Sequence, residues 1–186
     1  LALTLSADVL VTGARTFSNL ADLDAPVDGL IGIADSASEG LVSGQQIQRR
    51  PIMRAGEILE TIPGVIISQH SGEGKANQYY LRGFNLDHGT DFATTVAGVP
   101  VNMPTHAHGH GYSDLNFLIP ELVGGVQFRK GPYFADDGDF SSAGSSHIRY
   151  LNVLDAPIVR VSGGEDGWGR VLAAASPTPA SMIVDT

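Results

Sequence analysis

Glycine and proline set the scale of every element this chain can build. The 186 residues include 23 Gly and 10 Pro. Between these breaks lie short runs rich in Val, Ile and Thr, a pattern of many short strands joined by tight turns. The length suits one domain with its own core plus a tail or a partial second unit. No window approaches the roughly 20 apolar residues of a membrane-spanning helix. Cysteine is absent, which removes disulfides, thiolate metal sites and cysteine catalysis while leaving the redox compartment open. Eleven basic against twenty acidic side chains give a net charge of −9. That charge repels phosphate backbones, so no nucleic acid is expected as a partner.

Residues 1–7, LALTLSA, read as the end of a signal-peptide core, with a small-x-small cleavage site at Leu5-Ser6-Ala7. A short β-prone run begins at Asp8. Residues 19–44 are rich in Asp, Ala, Ser and Gly without sustained periodicity, and read as a mobile lead. Residues 53–62 place Ile58, Leu59 and Ile62 at helical spacing, and Pro63-Gly64 ends that short helix. Strands are expected at residues 65–68 and 78–82, and DFATTVAGVPV reads as a hairpin turning at Ala97-Gly98. Ser113 is placed to cap a short helix over residues 114–118, which Pro120 disturbs. Further strands are expected at residues 125–129 and 147–151, followed by a hairpin of residues 158–163 and 170–176 joined by GEDGW.

Several familiar chemistries fail on the residues. In the stretch around Gly72-Glu73-Gly74-Lys75, Gln69 stands where a phosphate loop needs its first Gly, and Ala76 replaces the Ser or Thr that would meet magnesium. The ADDGD run has carboxylates but no twelve-residue calcium-loop pattern, so it reads as a solvated acidic turn. No G-x-S-x-G elbow occurs. What does stand out is NMPTHAHGHGYSDL, in which three of the six histidines, His106, His108 and His110, alternate with small residues. On an extended segment alternate side chains share a face, so three imidazoles converge. Three nitrogens suit zinc or copper, and Asp114 adds an oxygen.

ETIPGV, YYLRGF, VAGVPV and VQFRKGP, in this order and at these spacings, resemble the plug domain of TonB-dependent outer-membrane receptors over roughly residues 49–150. The resemblance implies an α+β fold: a small mixed-sheet plug with short helices, followed by the start of an antiparallel transmembrane β-barrel. In the family that barrel has about 22 strands. It implies no enzyme, but a gate and ligand-sensing element for active uptake of a scarce ligand such as an iron–siderophore, with no resident cofactor. A zinc, copper or iron chelate is the cargo expected. Asp8, Val9, Leu10, Val11 and Thr12 resemble the TonB box, the extended segment that adds as a strand to the energising protein TonB in the periplasm.

The implied organisation is a signal remnant (1–7), TonB box and lead (8–48), plug (49–150) and first barrel strands (151–186), in the bacterial outer membrane with the plug open to the periplasm. The chain then stops where a barrel should be starting, so the resemblance implies a truncated receptor whose partner is its own missing barrel. Within it, His106, His108, His110 and Tyr112 fall among the loops that meet ligand. Arg82 and Lys130 are expected as paired structural charges rather than ligand contacts. Ala97 departs from the family's usual Asp. Two other readings remain open on the residues: a soluble periplasmic metal-binding or signalling module of the same fold, and a small metal-dependent hydrolase. Strand-like repeats downstream favour the receptor, and metal-dependent hydrolysis lost with the histidines favours the enzyme.

Overall fold

In the computed structural model, residues 33–36, 38–69, 76–86, 89–106 and 112–177 are described. The chain divides into two compact units, one ending at Tyr150 and one beginning at Leu151. In the first unit, β1 (Ile33–Ser36), β2 (Glu39–Ser43), β6 (Phe92–Val96), β7 (Val99–Pro100), β8 (Val123–Lys130) and β9 (Gly144–Tyr150) form one sheet in the order β1-β2-β8-β9-β6-β7. Every neighbour is antiparallel except β6 and β9, which run parallel from Phe92↔Gly144 to Val96↔Ile148. A second sheet, β3 (Val65–Gln69), β4 (Asn77–Leu81) and β5 (Phe84–Asn85), is antiparallel throughout. The sheets are mixed and the helices few and short, which is the α+β class expected. Among the described residues, no helix is long and apolar enough to cross a membrane.

The core gathers one buried side chain or two from most elements. Ile47, Ile58, Leu59, Ile62, Leu115, Val126 and Ile148 are fully buried, and Tyr79 and Phe92 nearly so. Burial of this many large side chains is the main stabilising term of the domain, each worth on the order of 1.5–3 kcal/mol. The helical spacing at Ile58, Leu59 and Ile62 is realised as a 3₁₀ helix, Ala55–Thr61. Its start is held by the Glu57 carboxylate, which accepts from the backbone amides of Met53 and Arg54 at 2.8 and 3.2 Å.

Two expectations need correction. Residues 39–48 are no lead: β2 pairs with β8 from Glu39↔Arg129 to Ser43↔Gly125, and the α-helix Gly44–Gln48 follows at once, its start closed by a reciprocal Ser43–Gln46 capping box. Leu41, Val42 and Ile47 are buried there, three apolar anchors too few to show as a period in a Gly- and Ser-rich stretch. The helix expected over residues 114–118 is only a turn. The Asp114 carboxylate accepts the Asn116 amide at 2.8 Å, a local bond that competes with helical hydrogen bonding, and Pro120 begins the next 3₁₀ turn.

In the second unit β10 (Ile158–Gly163) pairs with β11 (Gly169–Ala174). Val159 faces Ala173 and Val161 faces Val171 across the pair, whereas Arg160 pairs with Leu172 and Ser162 with Arg170. One face is therefore wholly apolar, with Val159, Val161 and Val171 exposed, and the other carries both arginines.

The β6–β7 turn has positive φ at both central residues, 51° at Ala97 and 79° at Gly98. That is the backbone a two-residue hairpin requires, and it disfavours a Cβ. Ala97→Asn, which tolerates this region, is expected to raise the unfolding free energy by about 0.5–1 kcal/mol, and Gly98→Ala to lower it by about 1–2 kcal/mol. Urea unfolding of both variants checks the opposed signs.

Candidate functional site

Loop ends from three parts of the first unit meet around Tyr112 and Ser113. Met103 and Tyr112 exchange both backbone hydrogen bonds, at 2.8 and 3.0 Å, and so close the base of the histidine segment. His106, exposed, stacks on Tyr112 with ring centroids 3.9 Å apart and planes 19° apart. The Tyr112 hydroxyl has a backbone hydrogen bond with Ala76, the residue before β4. Burial pushes the Tyr112 phenol up, helped by the Asp114 carboxylate and opposed by that bond. The Tyr79 hydroxyl reaches up from β4 to donate to the Ser113 carbonyl at 3.2 Å.

Beside this junction runs a groove of about 440 Å³, lined by Val99, Val101, Met103, Tyr112, Phe117 and Tyr150, with Asp114 its charged member. The sequence-derived site is thus partly in view. His106, Tyr112 and Asp114 belong to one end of the domain, with Asp114 half-buried and committed in part to Asn116. His108 and His110 lie outside the described residues, as do Asp8, Val9, Leu10, Val11 and Thr12. Among the described residues, no three metal-ligating side chains gather.

The ADDGD segment is not simply a solvated turn. Asp136 is exposed, but the Asp137 side chain is only 2% exposed and accepts from Arg129 at 3.0 Å, Ser145 at 2.7 Å and His147 at 3.2 Å. The other His147 nitrogen lies 2.9 Å from the Thr95 hydroxyl. Burial works against the Arg129 charge, but Asp136 and Asp137 more than offset it, and Arg129 in turn holds the Asp136 carboxyl below the usual range. Sequence alone shows only a run of acids, because the partners come from β8 and β9. The Thr95 hydroxyl, His147 and Asp137 form one hydrogen-bonded chain within this network. The network ties residues 135–137 to the sheet.

Lys130 is buried, its pKa lowered by that burial and then by the charge of Arg82, and its ammonium sits 5.0 Å from the Phe128 ring. Arg82 itself is exposed in the β4–β5 turn at φ 53°.

A small mixed-sheet domain with its loops gathered at one end is the class this architecture defines. The sequence matches the family described as the TonB-dependent receptor plug domain over residues 33–145. The chain belongs to that family, whose members serve transport receptors and are not enzymes. In fold it is similar to the hemophore receptor HasR of Serratia marcescens, solved as a double mutant with its hemophore HasA and heme. That likeness has 22% identity and a TM-score of 0.50, over 75% of this chain and 22% of that one. Matches also include the ferric enterobactin receptor of Pseudomonas aeruginosa in complex with enterobactin (20% identity, TM-score 0.49, 66% of this chain and 19% of that one). The siderophore receptor PirA of Acinetobacter baumannii is another (18%, 0.46, 67% and 18%). The chain spans about a fifth of the length of these receptors.

Burial, opposed by the Ser113 hydrogen bond, pushes the Tyr79 phenol from 10.0 up to about 12. A raised folded value means that folding is unpenalised below about pH 10 and loses stability as pH rises from there through about 12. Alkaline absorbance titration should therefore show Tyr79 ionising last of the five tyrosines, and Tyr79→Phe should remove that late step. Simultaneous titration of all five in the folded protein would contradict the placement.

Proposed function

We propose that this chain is the gate and ligand-sensing plug of an outer-membrane uptake receptor, and that its cargo is a metal ion or metal chelate met first by the histidine segment. The observation that carries the second half is the stacking of His106 on Tyr112 at the mouth of a loop whose base is closed by the Met103–Tyr112 bridge. An imidazole held in place loses less side-chain freedom on binding than one on a free tract. His106, His108 and His110 supply nitrogens, Asp114 an oxygen, and Tyr112 the stacking surface. Zinc, copper(II) or an iron chelate fits that donor set.

Family membership supports the remaining parts of this reading. The apolar face of β10–β11, opposite a face bearing Arg160 and Arg170, suits strands with lipid on one side and a polar lumen on the other. This supports reading residues 151–186 as the first strands of a β-barrel. Asp8 to Thr12 act as the TonB box, pairing by main-chain hydrogen bonds with TonB in the periplasm. Capture outside then has to favour release of that box inside, a coupling between two sites.

Titration of zinc and copper(II) into the chain and into a His106→Ala, His108→Ala, His110→Ala variant tests the cargo reading. Affinity should fall by about tenfold or more in the variant. In the unaltered chain it should also fall on acidification, because a protonated imidazole cannot coordinate. Equal affinities would return the ligand to other parts of the receptor.

A further inference from the structure

The side chain of Asn102 makes three hydrogen bonds, all to backbone and all to residues 89–94. Its Nδ2 donates to the Gly89 carbonyl at 2.6 Å and to the Phe92 carbonyl at 3.0 Å, and its Oδ1 accepts the Thr94 amide at 2.6 Å. Two carbonyls on one side and one N–H on the other leave a single orientation for the amide. The Thr94 carbonyl takes the Val101 amide at 2.9 Å. The ladder between β6 and β7 therefore runs past Pro100 by one backbone bond, at Val101, and then through the Asn102 side chain.

The two segments that Asn102 joins lead to different loops. On one side, residue 102 precedes Met103, whose bridge to Tyr112 closes the histidine segment. On the other, Gly89 lies so close to Ser113 that a Cβ there would collide with the serine side chain. The Asp91 carbonyl accepts the Ala143 amide at 2.9 Å, and its carboxylate accepts the Ser142 hydroxyl. Residues 89–94 thus touch both the histidine segment and the loop that Asp137 fastens.

We propose that Asn102 is a positioning residue of the capture face: it fastens the base of the histidine segment, Met103 and Tyr112, to residues 89–94, so that this base and the loop ending at Ala143 move as one body. The proposal deepens the reading of the histidine segment as the capture element and rests on it for its functional meaning. No other common side chain of this length offers two donors and an acceptor. Asp keeps the acceptor but sets a carboxylate against two carbonyls, and Ala removes all three bonds.

The test is hydrogen exchange on the whole chain with Asn102→Ala and Asn102→Asp, without metal and then with zinc. Without metal, both variants should speed exchange about tenfold or more at Thr94, and also at Met103 and Tyr112 on one side and Ala143 on the other. Val126 and Ile148 should keep their rates. Acceleration confined to Thr94 would reduce Asn102 to a local bond, and equal acceleration at Val126 and Ile148 would make it a general stability residue; either overturns the proposal. With zinc, exchange at Thr94 and Ala143 should slow in the unaltered chain and not in Asn102→Asp. Zinc that slows Met103 and Tyr112 but leaves Thr94 and Ala143 unchanged also overturns it. Zinc that alters no amide counts against the histidine reading alone, and the metal-free comparison still decides Asn102.

Discussion

Strand β9 can lie beside β8 only because residue 144 has no side chain. A Cβ there would collide with the Arg129 carbonyl, and the backbone takes φ 148°, a conformation open to glycine. From that point β9 pairs with β8 as far as Tyr150↔Val123 on one edge, and with β6, in parallel, on the other. The parallel pairing joins residues about fifty apart in sequence, so the whole hairpin, histidine segment and Pro120 turn must be threaded between two strands that end up adjacent. It places the start of β6, the end of β8 and the start of β9 at one end of the sheet. The Asp137 network and the Asn102 clasp both form there.

Two kinds of polar contact hold that end. Asp137 satisfies a buried carboxylate with three donors from β8 and β9, an arrangement in which losing one partner costs more than any single bond contributes. Asn102 does the same for backbone groups that no strand reaches. The opposite end of the β6–β7 hairpin is closed by backbone alone, with the Ala97 amide donating to the Ile148 carbonyl at 2.9 Å. Tyr112 and Asp114 line a groove that reaches that turn, beside Val96, Ala97 and Val99.

Strands β3, β4, β6, β8 and the β10–β11 hairpin were legible in the sequence because each carries β-branched or aromatic runs bounded by Gly or Pro. The motif order around Arg82-Gly83-Phe84 and Lys130-Gly131-Pro132 was legible too, and the family match agrees with it. Residues 39–48 were not, because Leu41, Val42 and Ile47 are buried by contacts from distant β8 rather than by a local period. The difference between Asp136 and Asp137 was equally invisible: neighbouring identical residues differ in burial only through what β8 and β9 bring to them. Of the site, the alternation of histidines was plain. Asn102 was not, since its partners are backbone groups that composition does not reveal.

Residues 144–150 hold the sheet together by lying antiparallel to β8 and parallel to β6. Nuclear Overhauser contacts in the labelled chain test it most directly. Cross-strand contacts are expected between Val126 and Ile148, together with contacts between Thr94 and Ser146 and between Val96 and Ile148. Contacts of residues 144–150 to β8 without any to β6 would contradict it.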